Sequence, residues 1–183
     1  MRKLILVLVS FIFILKISYA STYSSDPKEF VSELVNDAIT KLSDKNLSKE
    51  EKSAFIEDIA IENVDINALG LYTLGEVRKS TDKNNLENYQ KAFKKYFLKN
   101  LTSRLTDYSS NKFEIISAEK KSSNYTIVKS KIVNNENQPE IKIDWRIYTK
   151  NPLRPLIRDL IVEGVSIARA QKEEFNSIIQ NND

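Results

Sequence analysis

Residues 141–148 read IKIDWRIY, and their alternation decides how the second half of the chain is laid out. Ile141, Ile143, Trp145 and Ile147 take every second position, with Lys142, Asp144, Arg146 and Tyr148 between them. Successive side chains of a strand point to opposite faces, so this segment lies in a strand, expected over 140–150, with one buried and one wet face. The same period of two extends in both directions. Residues 113–121, 124–133 and 155–165 read as three further strands, separated by polar stretches at Ser122-Ser123, 134–139 and Asn151-Pro152. Connections this short favour an antiparallel meander.

Upstream, the period changes to that of a helix. Asp26-Pro27-Lys28-Glu29 offers an N-cap, a proline at the first helical position and an acidic residue at the third, a capping-box arrangement. Phe30, Val31, Leu34, Val35, Ala38 and Leu42 follow at helical spacing. Ser48-Lys49-Glu50-Glu51 repeats the signal ahead of Phe55, Ile56, Ile59 and Ala60. Asp65 suits the start of a short third helix that ends at Leu74-Gly75. The longest helix is expected from Thr81 to about Tyr108, with Leu86, Tyr89, Phe93, Tyr96, Phe97, Leu101, Leu105 and Tyr108 on one stripe. Lys91, Lys94, Lys95 and Lys99 form its solvated side. A last helix is expected from Ser166 to about Gln180, with Ile167, Ala170, Phe175 and Ile178 available for packing. Helices first and strands after give an α+β domain, a four-stranded antiparallel twisted sheet packed against several helices. The space between such a sheet and a long aromatic helix is a natural place for an apolar cavity.

The ends and the composition narrow the function. Met1-Arg2-Lys3 is basic, Leu4 to Leu15 is apolar apart from Ser10, and Ser18-Tyr19-Ala20 offers small residues at a cleavage site. That layout is expected of a signal peptide over 1–20, leaving a single domain over 21–183. The apolar run is too short for a membrane span, which needs roughly 20 residues. The three cations of the leader equal the whole formal excess of +3, so the remainder is neutral. The basic sequence pI of about 8.9 therefore does not mark a nucleic-acid-binding surface. With no histidine and no cysteine, the usual general base, the commonest metal ligand and both common catalytic triads are missing, and stability rests on packing. No cofactor is expected.

Asp159-Leu160-Ile161-Val162-Glu163-Gly164-Val165-Ser166-Ile167, followed by Phe175, resembles the most characteristic motif of the MlaC family of periplasmic phospholipid-binding proteins, also called the toluene-tolerance family. Three further features agree in order and spacing: Leu74-Gly75 after Val64-Asp65, the helix with Phe93 and Phe97 leading to Leu105-Thr106-Asp107-Tyr108, and Ile143-Asp144-Trp145-Arg146. The chain departs from the family pattern at Glu76-Val77-Arg78-Lys79, where an aromatic-rich segment is common, and at Leu153-Arg154-Pro155-Leu156, where a Gly-Gly-Trp-like turn is common.

The resemblance implies a carrier that holds acyl chains in an apolar cavity with the headgroup outside. It implies shuttling through the periplasm between an inner-membrane ABC transporter complex with an MCE-domain subunit and an outer-membrane lipoprotein complex, maintaining outer-membrane lipid asymmetry. The expected lipid-lining set is Leu74, Phe93, Phe97, Leu101, Leu105, Ile115, Ile143, Trp145, Leu160 and Val162. Each of these alone is compatible with ordinary core, and the expectation concerns the set. In the last strand, Leu160 and Val162 are expected to face the cavity while Ile161 packs on the other side. The competing readings are an enzyme on a similar cone-shaped scaffold that uses Asp159 on an apolar ligand, and a periplasmic adaptor with a filled core and no ligand. A structural role for Asp159, pairing with Arg158 or Arg154 or receiving backbone donors, opposes the first.

Overall fold

The computed structural model describes residues 23–106, 112–133 and 139–181, so the expected leader and Tyr108 lie outside the described residues. Four helices come first: α1 (Pro27–Ser43), α2 (Lys49–Asn63), α3 (Ile66–Thr73) and α4 (Lys83–Leu105). A 3-10 turn, Gly75–Lys79, separates α3 from α4. Strands β1 (Lys112–Ser122), β2 (Tyr125–Val133), β3 (Ile141–Tyr148), β4 (Leu156–Val162) and β5 (Val165–Ser166) follow, and α5 (Ile167–Asn181) closes the chain. The sheet is antiparallel, in the order β1-β2-β3-β4-β5.

The sheet therefore has five strands and not the expected four. Glu163 and Gly164 both take positive φ, 48° and 80°, which is the backbone of a tight two-residue hairpin turn. The chain does not leave the sheet at Gly164; it folds back and pairs Val165 with Val162 and Ser166 with Ile161. A left-handed conformation is costly for Glu163, but both its backbone N–H and its carboxylate are engaged at Lys142, so the turn is held at both ends.

Helix starts follow the expected chemistry, with one difference. Ser48 and Glu51 close a full capping box on α2, and Asp82 accepts from the Asn85 amide to start α4. At α1, Asp26 accepts from the Lys28 and Glu29 amides at 2.9 and 3.1 Å. Its own amide donates to Ser24 Oγ rather than to Glu29, so the reciprocal half of the box is supplied from outside the helix.

Pairing in the antiparallel sheet sorts the strands into two faces. The inner face packs on α1: Phe30, Val31 and Leu34 form a buried cluster with Val128, Trp145, Ile147 and Ile157. A second cluster, Ala60, Ile66, Phe93 and Leu98, joins α2, α3 and α4. Gly70 makes the second one possible, because a Cβ there would stand 2.9 Å from Phe93 Cδ1. That ring is fixed between Tyr89, Phe97 and Phe175, with centroids 6.1, 6.2 and 6.1 Å away. The inner line of α4 runs Phe93, Leu98, Thr102, and Tyr96 on the expected stripe is exposed. Thr102 and Thr106 are buried because their hydroxyls donate to the Leu98 and Thr102 carbonyls one turn back. In α5 the packed residues are Ala168 and Phe175, while Ile167 and Ile178 are exposed.

One fastening of the helices to the sheet lies at the α2–α3 junction. Val64 forms a parallel bridge with Ile157, and the Asp65 amide donates to the Ile157 carbonyl at 2.9 Å. Arg158, the extra residue at an irregularity in the β3–β4 register, donates to Asp65 Oδ2 through Nε at 2.8 Å and approaches it with Nη2 at 2.7 Å. Its Nη1 donates to the Tyr125 hydroxyl, and its guanidinium lies 3.4 Å from the Tyr148 ring centroid. Asp65 meanwhile caps α3 by accepting from the Ala68 amide.

Replacing a helical glycine with alanine ordinarily stabilises by about 1 kcal/mol. At Gly70 the sign is expected to reverse, with Gly70→Ala costing about 1–3 kcal/mol in urea denaturation and Phe93→Leu in the same chain recovering part of the loss. A stabilised single variant would contradict the close α3–α4 approach.

Candidate functional site

The inner face of the sheet is built of cross-strand rows whose burial falls off towards one end. Ile147 and Ile157 pair at the closed end and are 0% and 6% exposed. The next row is Val128, Trp145 and Leu160, with Leu160 already half-buried. Beyond it come Ile115, Ser130, Ile143, Val162 and Val165, directly opposed across all five strands. Of these only Ser130 is buried, and Val165 is 57% exposed. Phe113, Ile132 and Ile141 form the last row and are all half-buried. The side chains stay apolar while their cover thins, which is the reverse of an ordinary sheet end, where polar residues take over as burial is lost.

The polar side chain at the thinly covered end, Ser130, is fully satisfied. Ser130, 1% exposed, accepts from Trp145 Nε1 at 2.8 Å and donates to the Ile143 carbonyl at 2.9 Å. Buried without this partner, the indole N–H would cost free energy; with it, the tryptophan is locked in one orientation and the face remains dry.

The expected lipid-lining residues divide into three groups. Phe93 and Trp145 belong to the two filled clusters, and Leu74 is buried at the end of α3. Ile115, Ile143 and Leu160 fringe the sheet cluster, and Phe97 and Leu101 fringe the helical cluster, all half-buried. Leu105 and Val162 are half-buried and belong to neither. Only Val64, at the fastening point, is packed against both clusters. A small domain usually buries one contiguous core, so a core divided in two with half-buried apolar fringes is the feature to explain.

Two open hollows of about 400 and 370 Å³ lie on the other, outer face of the sheet. They share Lys129, Asp144 and Ile161. Ile161 therefore lines an open outer surface and does not pack under other structure as expected, whereas Leu160 and Val162 lie on the inner face. The physical reason is the placement of α1, which packs on the inner side of β1 and β2. Ile127 in the outer hollow is nonetheless 9% exposed among Lys121, Lys129, Arg146 and Tyr125. Long charged side chains shield an isoleucine in this way with their stems.

Asp159 is 4% exposed and has its oxygens occupied. It accepts from the Ser166 hydroxyl at 2.7 Å and from the Ala168 amide at 3.0 Å, and Arg146 stands 3.5 Å away. It thus anchors the first turn of α5, whose free amides favour a carboxylate. Its cation is Arg146, not Arg158 or Arg154; Arg158 is committed to Asp65. Burial works against the charge of Arg158, but its hydrogen bonds with Tyr125 and Asp65 outweigh this and raise its pKa. Burial pushes the Tyr89 hydroxyl up, partly offset by its bond to Thr73, and that pair ties α3 to α4 at 2.9 Å. Among the described residues no group of acidic side chains is placed to hold a metal ion, and no helix is long and apolar enough to cross a membrane.

The family model described as MlaC protein matches residues 32–183. The chain belongs to the MlaC family. Among solved structures, the fold is similar to that of a phospholipid-binding protein from Ralstonia solanacearum, determined in complex with a phospholipid. The TM-score is 0.67 at 15% identity, covering 82% of this chain and 86% of that one. No curated protein matches.

Removing the Asp159 carboxylate strips α5 of its anchor and leaves Arg146 facing a buried gap. Asp159→Ala is expected to cost roughly 2–4 kcal/mol of stability and to speed hydrogen exchange at the Ala168 amide, with α2 exchange unchanged. Unaltered exchange at Ala168 would show that the helix start is held by something else.

Proposed function

We propose that this chain is a periplasmic phospholipid carrier that holds acyl chains between the open end of the inner sheet face and the flank of α4. The observation that carries the reading is the divided core with a half-buried apolar fringe on each part: Ile115, Ile143 and Leu160 on the sheet, Phe97 and Leu101 on the helix. Membership of the MlaC family supports it, as does the fold shared with a phospholipid-bound protein. Val162 and Leu105 extend the apolar wall, while Leu74, Phe93 and Trp145 are the filled core behind it.

The energetics suit a carrier. Each methylene moved into water costs about 0.8 kcal/mol, so a two-chain lipid cannot cross an aqueous compartment uncovered. A cavity needs only to match the membrane in dryness, and the hydrogen-bonded Ser130–Trp145 pair keeps the one polar group of the wall from competing for water. The charged groups at the site's periphery serve structure: Asp159 anchors a helix and Arg158 fastens two layers. This favours binding and release of lipid over chemistry on it. In the cell the reading places the protein between an inner-membrane ABC transporter complex with an MCE-domain subunit and an outer-membrane lipoprotein complex. Export depends on the expected leader over residues 1–20.

Lipid extraction tests the proposal. Protein purified after export is expected to carry phospholipid in stoichiometric amount. Leu160→Asp and Phe97→Asp should each abolish loading while the far-ultraviolet circular dichroism keeps its mixed helical and strand form. A parent protein that is lipid-free and takes no labelled phospholipid from vesicles would refute the carrier.

A further inference from the structure

The sheet end opposite the thinly covered rows carries two hairpin tips, Ser122–Tyr125 and Tyr148–Leu156, joined by a hydrogen bond of 2.8 Å from the Thr149 amide to the Asn124 carbonyl. Leu153 projects from the second tip and is 78% exposed, more than any other large apolar side chain among the described residues. This exposure is built in. Asn151 accepts from the Leu153 amide through Oδ1 at 3.1 Å and from the Arg154 amide through its carbonyl at 3.2 Å, and Pro152 lies between them. The turn is a preorganised Asx turn, so presenting the leucine costs little further ordering.

Charge is concentrated at the same end. Lys120, Lys121, Lys150 and Arg154 flank the two tips; Glu119 pairs with Lys121 at 2.5 Å, and the Asp65 carboxylate behind the tips is taken up by Arg158. Lys120, Lys150 and Arg154 have no ion-pair partner among the described residues. The chain beyond its leader is formally neutral, so this end is basic through placement and not through overall composition. At the base of the tips, Tyr125 and Tyr148 lie with ring centroids 5.3 Å apart. A rigid exposed leucine, flanking cations and tyrosines set just behind them match the layers of a bilayer surface: acyl boundary, anionic headgroups and the aromatic interface zone.

We infer that the paired hairpin tips form a contact site for an anionic phospholipid bilayer surface, with Leu153 entering the headgroup region and Lys150 and Arg154 meeting its phosphates. The contact goes beyond the carrier reading, because it uses the opposite end of the sheet and no residue of the apolar wall. Bound this way, the protein stands on the membrane with its thinly covered end directed away from it, free to face a partner. The attraction is electrostatic and short-ranged, so it is reversible and weakens as salt rises.

Vesicle co-sedimentation tests the site. The probe is the chain from residue 21 onward, which contains every described residue. Vesicles are phosphatidylcholine alone or phosphatidylcholine mixed with phosphatidylglycerol, at low and high salt. Binding is expected to the mixed vesicles at low salt, with loss at high salt and none to phosphatidylcholine alone. Lys150→Gln and Arg154→Gln should each lower partitioning about fivefold. Leu153→Ser should lower it as well, whereas Ile116→Ser, which removes another exposed apolar residue away from the tips, should not. Equal binding to both vesicles, or loss in Ile116→Ser with retention in the tip variants, overturns the proposal. So does absence of binding to any vesicle, which would leave the tips as a protein contact. Lipid content of the tip variants should equal that of the parent, so this contact and the carrier reading can fail separately.

Discussion

The Asp65–Arg158 pair ties the α2–α3 junction to the sheet. Asp65 lies where α2 has ended and α3 begins, and it caps α3, donates its amide to the sheet edge and accepts Arg158. Arg158 reaches it only because the register irregularity at β3–β4 displaces this residue, and Tyr148 and Tyr125 then hold the guanidinium. The pair is partly buried, with the arginine and aspartate side chains 25% and 19% exposed. At that depth the geometry matters more than the Coulomb energy: two contacts to one carboxylate and a stacked ring fix the angle at which the helical layer meets the sheet.

The core on either side of this junction is divided in two. α1 fills the inner face at the closed end, where Ile147 is fully buried, and α2 to α4 gather around Phe93. Between them the sheet continues to present Ile143, Leu160 and Val162, which a simple two-layer domain would cover completely. Apolar surface left partly uncovered costs stability, and its retention on one wall of one face makes sense when a hydrocarbon guest completes the packing. On the proposed carrier reading, burial and function are the same interaction seen with and without the guest.

Much of this was legible in the sequence, for reasons that differ by element. IKIDWRIY shows its two faces because a half-wet strand must alternate, and the pairing puts Leu160 and Val162 beside Trp145 and Ile143 as that pattern requires. The lysines of α4 read correctly as its wet side. Thr102 and Thr106 were invisible as core, since their burial depends on hydroxyls bonding to carbonyls one turn back. The hairpin at Glu163-Gly164 lacked the usual Asn-Gly or Asp-Gly signal and is held by a contact with Lys142, far away in sequence. Arg158 and Asp65 are 93 residues apart, and no local pattern announces such a pair. The open outer face escaped for a similar reason: alternation places Ile161 there, but only the course of the helices decides whether anything covers it.

The central claim is that acyl chains meet the inner face of the sheet and the flank of α4. A phospholipid bearing a photoreactive group at the end of one acyl chain, loaded into the protein and irradiated, reports that contact directly through the cross-linked residues found by peptide mass spectrometry. The account predicts adducts on Ile143, Leu160 or Val162 and on Phe97 or Leu101, all of one face and one helix flank. Adducts on Ile127 and Ile161, across the sheet in the outer hollows, would contradict it.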